Sequence, residues 1–266
     1  MIRSLGFRVF AMTFATALLS FNAFAAVKSE TVEYKDGKAE LEGFMAYDDS
    51  AKTPRPAVLI VHQWMGITDH EKDHARILAA QGYVAFALDV YGKGFRPTNV
   101  NEAGTLSGKY KEDRKLLRSR EMAAYNLVKK DKRVDPKHIV VIGYCFGGLG
   151  ALELGRFGAA LAGIASFHGA LSNPNPLDAK NIKSPVLVMH GALDPYVKKD
   201  EVDAFVKEMN DAKVDYEFIS YSNAVHAFTQ KMAGNNPSAG VAYNERADRR
   251  SWATFMEFLK EVAPIK

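Results

Sequence analysis

The fold is decided by residues 139–148, which read IVVIGYCFGG. Four branched apolar residues in a row are typical of a strand that is buried on both faces of a sheet. The next residues have the form G-x-S-x-G with Cys145 in place of serine, and small residues predict a helix at 147–156. This pattern marks a tight strand–turn–helix connection that lifts a nucleophile above the sheet edge. Glycines suit the turn because it is strained and its helix packs close to the strand. A buried structural cysteine is the alternative.

Similar apolar runs, separated by helical patterns, occur along the rest of the chain. Besides 139–143, buried strands are predicted at 57–62, 83–90, 164–168, 186–190 and 215–221, after an opening hairpin at 30–47. Helices are also predicted at 69–81, 200–212 and 243–262. The alternation predicts the α/β class, with a mostly parallel central sheet and helices on both faces.

The long segment before the strand at 139–143 is interpreted as a loop and one helix. Residues 92–108 are rich in glycine, proline and asparagine, which predicts a loop. Residues 109–132 have helical spacing, which predicts a single amphipathic helix. Its inner face is predicted to contain Leu116, Met122, Ala123 and Leu127.

The composition excludes several classes of protein. Of 266 residues, 47% are apolar and 25% are charged, which excludes a disordered, collagen-like or coiled-coil chain. The formal net charge is +4 without a block of basic residues, so nucleic acid is not expected as a partner. The single cysteine excludes an internal disulfide, and a chain of this length needs none.

Residues 1–25 have the layout of a secretory signal peptide. A short basic start is followed by an apolar run at 9–21 and by AFA at 23–25, an A-x-A cleavage pattern. The apolar run is shorter than the about 20 residues of a spanning helix; an uncleaved anchor is the alternative. We expect cleavage after residue 25, a single domain at 26–266, and an exported protein without a membrane segment, periplasmic if the source is Gram-negative. An unpaired thiol in an oxidising compartment indicates that Cys145 has a use.

Order along the chain identifies partners for Cys145. In sites built on this turn, an acid and then a histidine follow the nucleophile. Asp194 comes just after the predicted strand 186–190, at the carboxyl end where parallel sheets build their sites. Capping of the loop before Pro195 is the alternative for this residue. His226 lies in the loop after the next strand and is the only histidine beyond Asp194.

The other six histidines fall into two groups. Three lie at predicted strand ends, where they line the site or cap the sheet: His62, His168 and His190. Three are interpreted as surface residues: His70, His74 and His138.

The predicted triad implies a division of roles. His226 takes the thiol proton and later donates it to the leaving group, while Asp194 orients the imidazole. Cys145 attacks an acyl carbon and forms a thioester. The backbone N–H of Phe146 and one from the loop 63–66 are expected to form the oxyanion hole.

With these segments in view, the sequence resembles the dienelactone hydrolases, a branch of the α/β-hydrolase superfamily with a Cys-His-Asp triad. The resemblance covers nearly the whole chain after residue 26. It is carried by GYCFGG at 143–148, HGALDP at 190–195, AVHAF at 224–228 and LDVYG at 88–92. It implies the α/β-hydrolase fold and hydrolysis of small esters or lactones, with no metal or other cofactor. Carried over by position, the triad is Cys145, Asp194 and His226, and the oxyanion N–H groups belong to Trp64 and Phe146.

Three positions depart from the best-known pattern of that family. A glutamate that helps to control the charge of the cysteine is matched here by Gln63. Two arginines that hold a substrate carboxylate are matched by Lys93, or a neighbour such as Arg96, and by the neutral Gln230. The triad is therefore expected to transfer, whereas the dienelactone substrate is not. Lys93 and Arg96 either hold an anion or are solvated loop charges.

Aromatic and apolar residues concentrate in the predicted site loops. They indicate an apolar pocket for an acyl group or ring, or else packing of the loops onto the sheet. The residues are Trp64, Met65, Tyr91, Phe95, Tyr144 and Phe146.

Three functions are compatible with these patterns. The favoured one is a cysteine-dependent ester or lactone hydrolase that acts as a monomer on a small molecule. The second is a peroxide-reactive thiol, although no resolving cysteine is present. The third is a catalytically inactive binding module on a hydrolase fold.

Overall fold

The computed structural model describes residues 27–265, which form an eight-stranded mixed sheet flanked by helices. The strand order is β1-β2-β4-β3-β5-β6-β7-β8. The strands are β1 (Val27–Asp36), β2 (Ala39–Asp48), β3 (Arg55–Val61), β4 (Val84–Leu88), β5 (Val134–Tyr144), β6 (Gly163–Phe167), β7 (Val186–Gly191) and β8 (Tyr216–Tyr221). The opening hairpin β1–β2 pairs antiparallel, and β2 also runs antiparallel to β4. All pairs from β4 to β8 are parallel, as predicted.

Helices cover both faces of the sheet because alternate residues of each strand enter different core layers. The helices are α1 (Asp69–Ala80), α2 (Val100–Glu112), α3 (Arg114–Lys129), α4 (Phe146–Arg156), α5 (Lys199–Ala212) and α6 (Glu245–Val262). Val58 and Ile60 of β3 pack in the layer with α1 and α6, whereas Leu59 and Val61 pack in the layer with α3, α4 and α5. This two-sided burial explains the unbroken apolar runs of the parallel strands.

The prediction of a loop over 92–108 is wrong beyond residue 99, where α2 begins. Asn99 caps the helix, because its side chain accepts the N–H of Glu102, and the Glu102 carboxylate accepts the N–H of Thr98 in return. This reciprocal capping offsets the low helix propensity of Gly104 and Gly108.

The prediction of a single helix over 109–132 is also wrong, because the helix is interrupted at Asp113. Its backbone leaves the helical region with φ −99° and ψ 80°, and its side chain accepts the N–H of Leu116 at the start of α3. The inner face of α3 is rotated from the predicted one, which is only partly buried. The buried residues of α3 are Leu117, Glu121, Ala124, Tyr125 and Val128.

The predicted signal peptide and its cleavage site lie outside the described residues. Within 27–265, no helix combines the length and apolar character that crossing a bilayer requires. A short 3-10 helix, Pro176–Asn181, lies between β6 and β7.

Candidate active site

Cys145 stands at the tight turn between β5 and α4, at the carboxyl edge of the parallel sheet. Its φ of 55° and ψ of −116° are strained for a residue with a side chain, and the side chain is half-buried. A Cβ at Gly143 would overlap the backbone of Gly147, and a Cβ at Gly147 would overlap the carbonyl of Val61. Glycine is therefore required at both positions for the close approach of helix and strand.

A chain of hydrogen bonds joins the three residues predicted as a triad. His226 Nε2 lies 3.0 Å from Cys145 Sγ, and His226 Nδ1 lies 2.8 Å from Asp194 Oδ2. The Asp194 carboxylate has no exposed side-chain surface, and its Oδ1 accepts the N–H of Tyr196. The imidazole is thus anchored by a fixed carboxylate and directed at the thiol. This is the geometry in which a base takes a proton from a nucleophile.

The loops after β7 and β8 bring Asp194 and His226 together. Asp194 follows a turn in which its N–H donates to Gly191, and Leu193 donates to the Ala224 carbonyl of the neighbouring loop. The backbone of His226 is held on both sides, since its N–H donates to Gly240 O and its carbonyl accepts from Ala242 N. The two side chains are therefore positioned by backbone contacts between adjacent loops.

The thiol and the imidazole stabilise each other's charged forms. Burial alone would raise the pKa of Cys145, but the charge and hydrogen bond of His226 bring it below its ordinary value, helped by Lys111 and the Phe146 N–H. Burial opposes protonation of His226, yet the Cys145 charge and the Asp194 hydrogen bond raise the pKa of His226 above its usual range. Both directions describe a thiolate–imidazolium pair.

The two predicted oxyanion donors belong to α4 and to the loop after β3. The N–H of Phe146, the first residue of α4, donates to Cys145 and lowers the pKa of the thiol. Trp64 lies in the loop after β3, and its carbonyl accepts the hydroxyl of Tyr91 at 2.8 Å, which fixes the peptide plane on one side. Gln63 is buried, and its side-chain oxygen accepts the N–H of Met65 at 3.0 Å. Gln63 therefore shapes this loop from within.

Two buried carboxylates that support the site were missed in the sequence. Glu71 of α1 accepts the N–H groups of Gln63 and Thr68 and so holds both ends of the Trp64 loop. Asp89, after β4, accepts the N–H groups of Tyr91 and Gly92. The Thr68-x-x-Glu71 capping box was a signal for Glu71, whereas Asp89 had no comparable signal.

The cations near the matched substrate-binding positions have other partners. Lys93 is exposed, and its Nζ pairs with Glu33 of β1 at 2.7 Å. Arg96 donates to the carbonyls of Gly92, Phe95 and Glu42 and lies 3.4 Å from Asp89 Oδ1. Arg96 is thus bonded to its own loop and to β2 and is not a fully solvated charge.

Two further residues bear on the charge of the candidate site: the predicted pocket residue Gln230 and Lys111. Gln230 lies four residues past His226, beside the 3-10 turn Lys231–Ala233, and carries no charge. Lys111 is exposed in the last turn of α2 and lowers the pKa of Cys145. It belongs to the segment whose structure was mispredicted, which is why it was missed.

The aromatic residues divide between packing and the site surface. Tyr144, Phe146 and Tyr91 are buried, and the rings of Tyr91 and Phe146 stack at 5.8 Å. These three residues pack the loops, as the second interpretation required. Two rings are exposed: Phe95 is 62% exposed, and Tyr196 is 60% exposed, with its ring centroid 5.3 Å from that of His226. Tyr196 therefore borders the imidazole at the surface.

The strand-end histidines are buried, and two of the predicted surface histidines are not surface residues. His62 accepts the N–H of Val90 through Nε2 and so ties β3 to the chain after β4. His70 and His74 pack against the ring of Tyr144, at 4.5 and 5.2 Å between centroids. The interpretation of His70 and His74 failed because only their α1 spacing was visible in the sequence, not the helix face that meets Tyr144. Across residues 27–265, no three His, Cys, Asp or Glu side chains are arranged to hold a metal ion.

Comparison with known proteins identifies the family. Residues 41–263 match the profile of the "Dienelactone hydrolase family". The chain belongs to the dienelactone hydrolase family. It is therefore a dienelactone-hydrolase-like enzyme with the α/β-hydrolase fold, as the sequence resemblance implied.

Individual members of the dienelactone hydrolase family match over most of their length. A solved structure titled as a "Dienelactone Hydrolase-like Promiscuous Phospotriesterase" from metagenomic libraries is 36% identical, with a TM-score of 0.84 over 89% of this chain and 99% of its own. An Aquifex aeolicus protein named "Putative carboxymethylenebutenolidase" is 28% identical over 87% of this chain and 97% of its own. A Bradyrhizobium protein named "Probable 2-oxo-3-(5-oxofuran-2-ylidene)propanoate lactonase" is 26% identical over 77% of this chain and 83% of its own.

Proposed function

We propose that this enzyme hydrolyses carboxylic esters or lactones through a Cys145 thiolate and an acyl-enzyme intermediate. The observation that carries the proposal is the series of contacts from Cys145 Sγ to His226 Nε2 (3.0 Å) and from His226 Nδ1 to Asp194 Oδ2 (2.8 Å). The site lies on a strained turn at a helix N-terminus, where backbone N–H groups favour negative charge. These contacts support the roles of nucleophile, base and orienting acid for Cys145, His226 and Asp194.

Two steps account for hydrolysis with balanced atoms and protons. The thiolate attacks the acyl carbon, the C–O bond breaks, and the imidazolium of His226 gives its proton to the departing alkoxide. A water molecule then loses a proton to His226 and attacks the thioester, which releases the carboxylic acid and restores the Cys145–His226 pair. In a lactone the alcohol stays attached to the acyl group, so one molecule leaves after the second step.

The negative oxygen of each tetrahedral intermediate needs donors that are fixed in advance. The Phe146 N–H lies next to the thiol, and the Trp64 loop is held by Glu71 and by the Tyr91 hydroxyl. We assign the oxyanion hole to the N–H groups of Phe146 and Trp64.

The positions that match the family's two carboxylate-binding arginines favour small neutral substrates over carboxylated dienelactones. Gln230 is uncharged, Lys93 pairs with Glu33, and Arg96 is engaged with backbone carbonyls and Asp89. Gln63 and Tyr91 stay buried in the loops that border the pocket and shape it without adding a charge. Short-chain neutral esters and lactones are therefore the proposed substrate class.

A panel of short-chain chromogenic esters and lactones tests the proposal. Turnover by the native enzyme should fall at least about a hundredfold in Cys145→Ala and Cys145→Ser. Because Cys145 is the only cysteine of the sequence, one equivalent of iodoacetamide should abolish the same activity. Peroxide consumption without ester turnover would favour the thiol-redox function instead. Absence of both ester turnover and peroxide consumption would favour a binding module.

A second candidate activity is hydrolysis of phosphotriesters. It is favoured by the 36% identical structure whose title describes a promiscuous phosphotriesterase. The same thiolate would attack phosphorus, break the P–O bond to the leaving group and be released by water. Turnover of an aryl phosphotriester by the native enzyme but not by Cys145→Ala is the expected result, and turnover that is equal in both would reject it.

We also propose that the chain is exported, with a signal peptide at 1–25. The basic start, the apolar run at 9–21 and the A-x-A pattern at 23–25 support this. In a Gram-negative host, the periplasmic fraction should contain a protein that begins at residue 26, and deletion of 2–25 should leave the protein in the cytoplasm. Full-length protein in the cytoplasm would contradict the proposal.

A monomer is the proposed oligomeric state. The edge strands of the described sheet are β1 and β8. β1 carries ion pairs from Lys28 to Asp49, from Glu30 to Arg133 and from Glu33 to Lys93, and β8 carries the exposed Glu217. Charged edges oppose strand-to-strand association. Light scattering of the exported form should give the mass of one chain, and a dimer mass would contradict this.

A further inference from the structure

His168 occupies a strained and fully buried position directly after β6. Its φ is 40°, in the left-handed region that residues with side chains rarely adopt. The backbone around it is fixed on both sides, because its N–H donates to Met189 O at 2.8 Å and the preceding carbonyl of Phe167 accepts the N–H of Cys145 at 3.1 Å. The strand end that places Cys145 thus also places the His168 ring. Backbone strain of this kind concentrates at functional sites.

The His168 ring contacts the loop that carries His226. Its centroid lies 5.4 Å from that of His226, edge to face at 69°, and 5.0 Å from that of Phe228. Its Nε2 lies 2.8 Å from Thr229 Oγ1, the only hydrogen bond of this ring within residues 27–265. Thr229 is buried and follows His226 by three residues, with Ala227 between them at a left-handed φ of 58°. The bond therefore fixes the loop to β6 just after its strained residue Ala227.

We propose that His168 is a positioning residue that, through its hydrogen bond to Thr229, holds His226 at hydrogen-bond distance from Cys145. This inference rests on the proposed function of the Cys145–His226 pair. The ring fills the space beside the imidazole, and the Thr229 bond prevents the loop from relaxing away from β6. Burial lowers the pKa of His168, and so does the neighbouring His226. The ring is consequently neutral and adds no like charge beside an imidazolium.

The pH dependence of Cys145 alkylation tests this role without a substrate. Thr229→Val keeps the side-chain volume and removes the partner of His168, and His168→Phe keeps a ring and removes the same bond. A less firmly held His226 stabilises the thiolate less, so the alkylation midpoint should move upward by about half a pH unit or more. The ester kcat should fall by roughly tenfold with little change in KM, because the interaction acts on the reacting groups.

Two further variants separate positioning from stability. His168→Gln places an amide near Nε2 and should restore most of the native midpoint. Thr53→Val, at an exposed site in the β2–β3 loop, controls for the substitution itself and should leave midpoint and kcat unchanged. If His168→Phe does not fold, Thr229→Val decides. A folded Thr229→Val protein with the native midpoint and kcat would overturn the role of His168. Unaltered turnover in Cys145→Ala would instead overturn the proposed function.

Discussion

The two sides of Cys145 differ in how tightly they are built. The acid–base side is formed by Cys145, Asp194, His168 and the segment 226–229. Three of its residues with side chains have a positive φ: Cys145, His168 and Ala227. On the substrate side, residues 89–112, a Cβ added to Gly94, Gly104 or Gly108 meets nothing within 4 Å. The backbone of the first side is constrained at these three residues, whereas the second side has open space beside Gly104 and Gly108 of α2.

The electrostatics of the two sides differ in the same way. Charges on the acid–base side are directed at one another and at the thiol, through Asp194 and His226. On the substrate side, Lys93 is engaged by Glu33, outside the reaction, and Lys111 is the exposed charge that acts on Cys145. The contacts on the acid–base side are therefore set by the fold, whereas Lys93 and Lys111 on the other side are exposed.

The largest expected effect comes from removing the base. His226→Ala should lower kcat by about 10⁴-fold or more with the fold retained, because within residues 27–265 His226 is the only side chain hydrogen-bonded to the Cys145 thiol. Single-turnover and steady-state kinetics on a short-chain ester measure it. His138→Ala, at a partly exposed histidine paired with Asp135, is the matched control and should keep native turnover. Native turnover in folded His226→Ala would show that another residue is the base.

The second prediction compares glycines on the two sides. Gly147→Ala places a Cβ against the backbone carbonyl of Val61, which cannot move without separating α4 from β3. The free energy of unfolding should fall by about 3 kcal/mol or more. Gly108→Ala, in the open interior of α2, should instead raise it by roughly 0.5–1 kcal/mol. Denaturant unfolding of both variants gives the numbers, and equal effects would contradict the contrast between the sides.

The same contrast determines what could be predicted from the sequence. The contacts that join Cys145, His226 and Asp194 could be predicted because the turn motif is local and the order of the three residues follows the strand sequence. Helix α2 could not, because glycine, proline and asparagine outweighed the capping pair Asn99 and Glu102. The ion pair of Lys93 could not be predicted either, because its partner Glu33 is 60 residues away in the sequence and comes close only in the folded protein.

The third prediction adds a charge at Gln230, a predicted pocket residue four positions past His226. A lactone with a carboxylate should be hydrolysed no better than its neutral analogue by the native enzyme. Gln230→Arg should raise the ratio of the two kcat/KM values by roughly ten- to a hundredfold, the value of one charged hydrogen bond. Gln81→Arg, exposed after α1, adds the same charge elsewhere and should leave the ratio unchanged. A native preference for the anion of a hundredfold or more would mean that another cation already holds the carboxylate.

The smallest effect should come from Lys111, the exposed cation that acts on Cys145 from the substrate side. A positive charge favours the thiolate, so Lys111→Gln should raise the pKa of Cys145 and move the alkylation midpoint to higher pH. The shift should be only about 0.2–0.5 unit at low salt and should shrink at about 0.5 M salt, because an exposed charge is screened. Lys93→Gln, whose charge pairs with Glu33, should leave the midpoint unchanged. A salt-insensitive shift in Lys111→Gln would mean that the residue acts through the packing of α2 on Tyr91 and not through its charge.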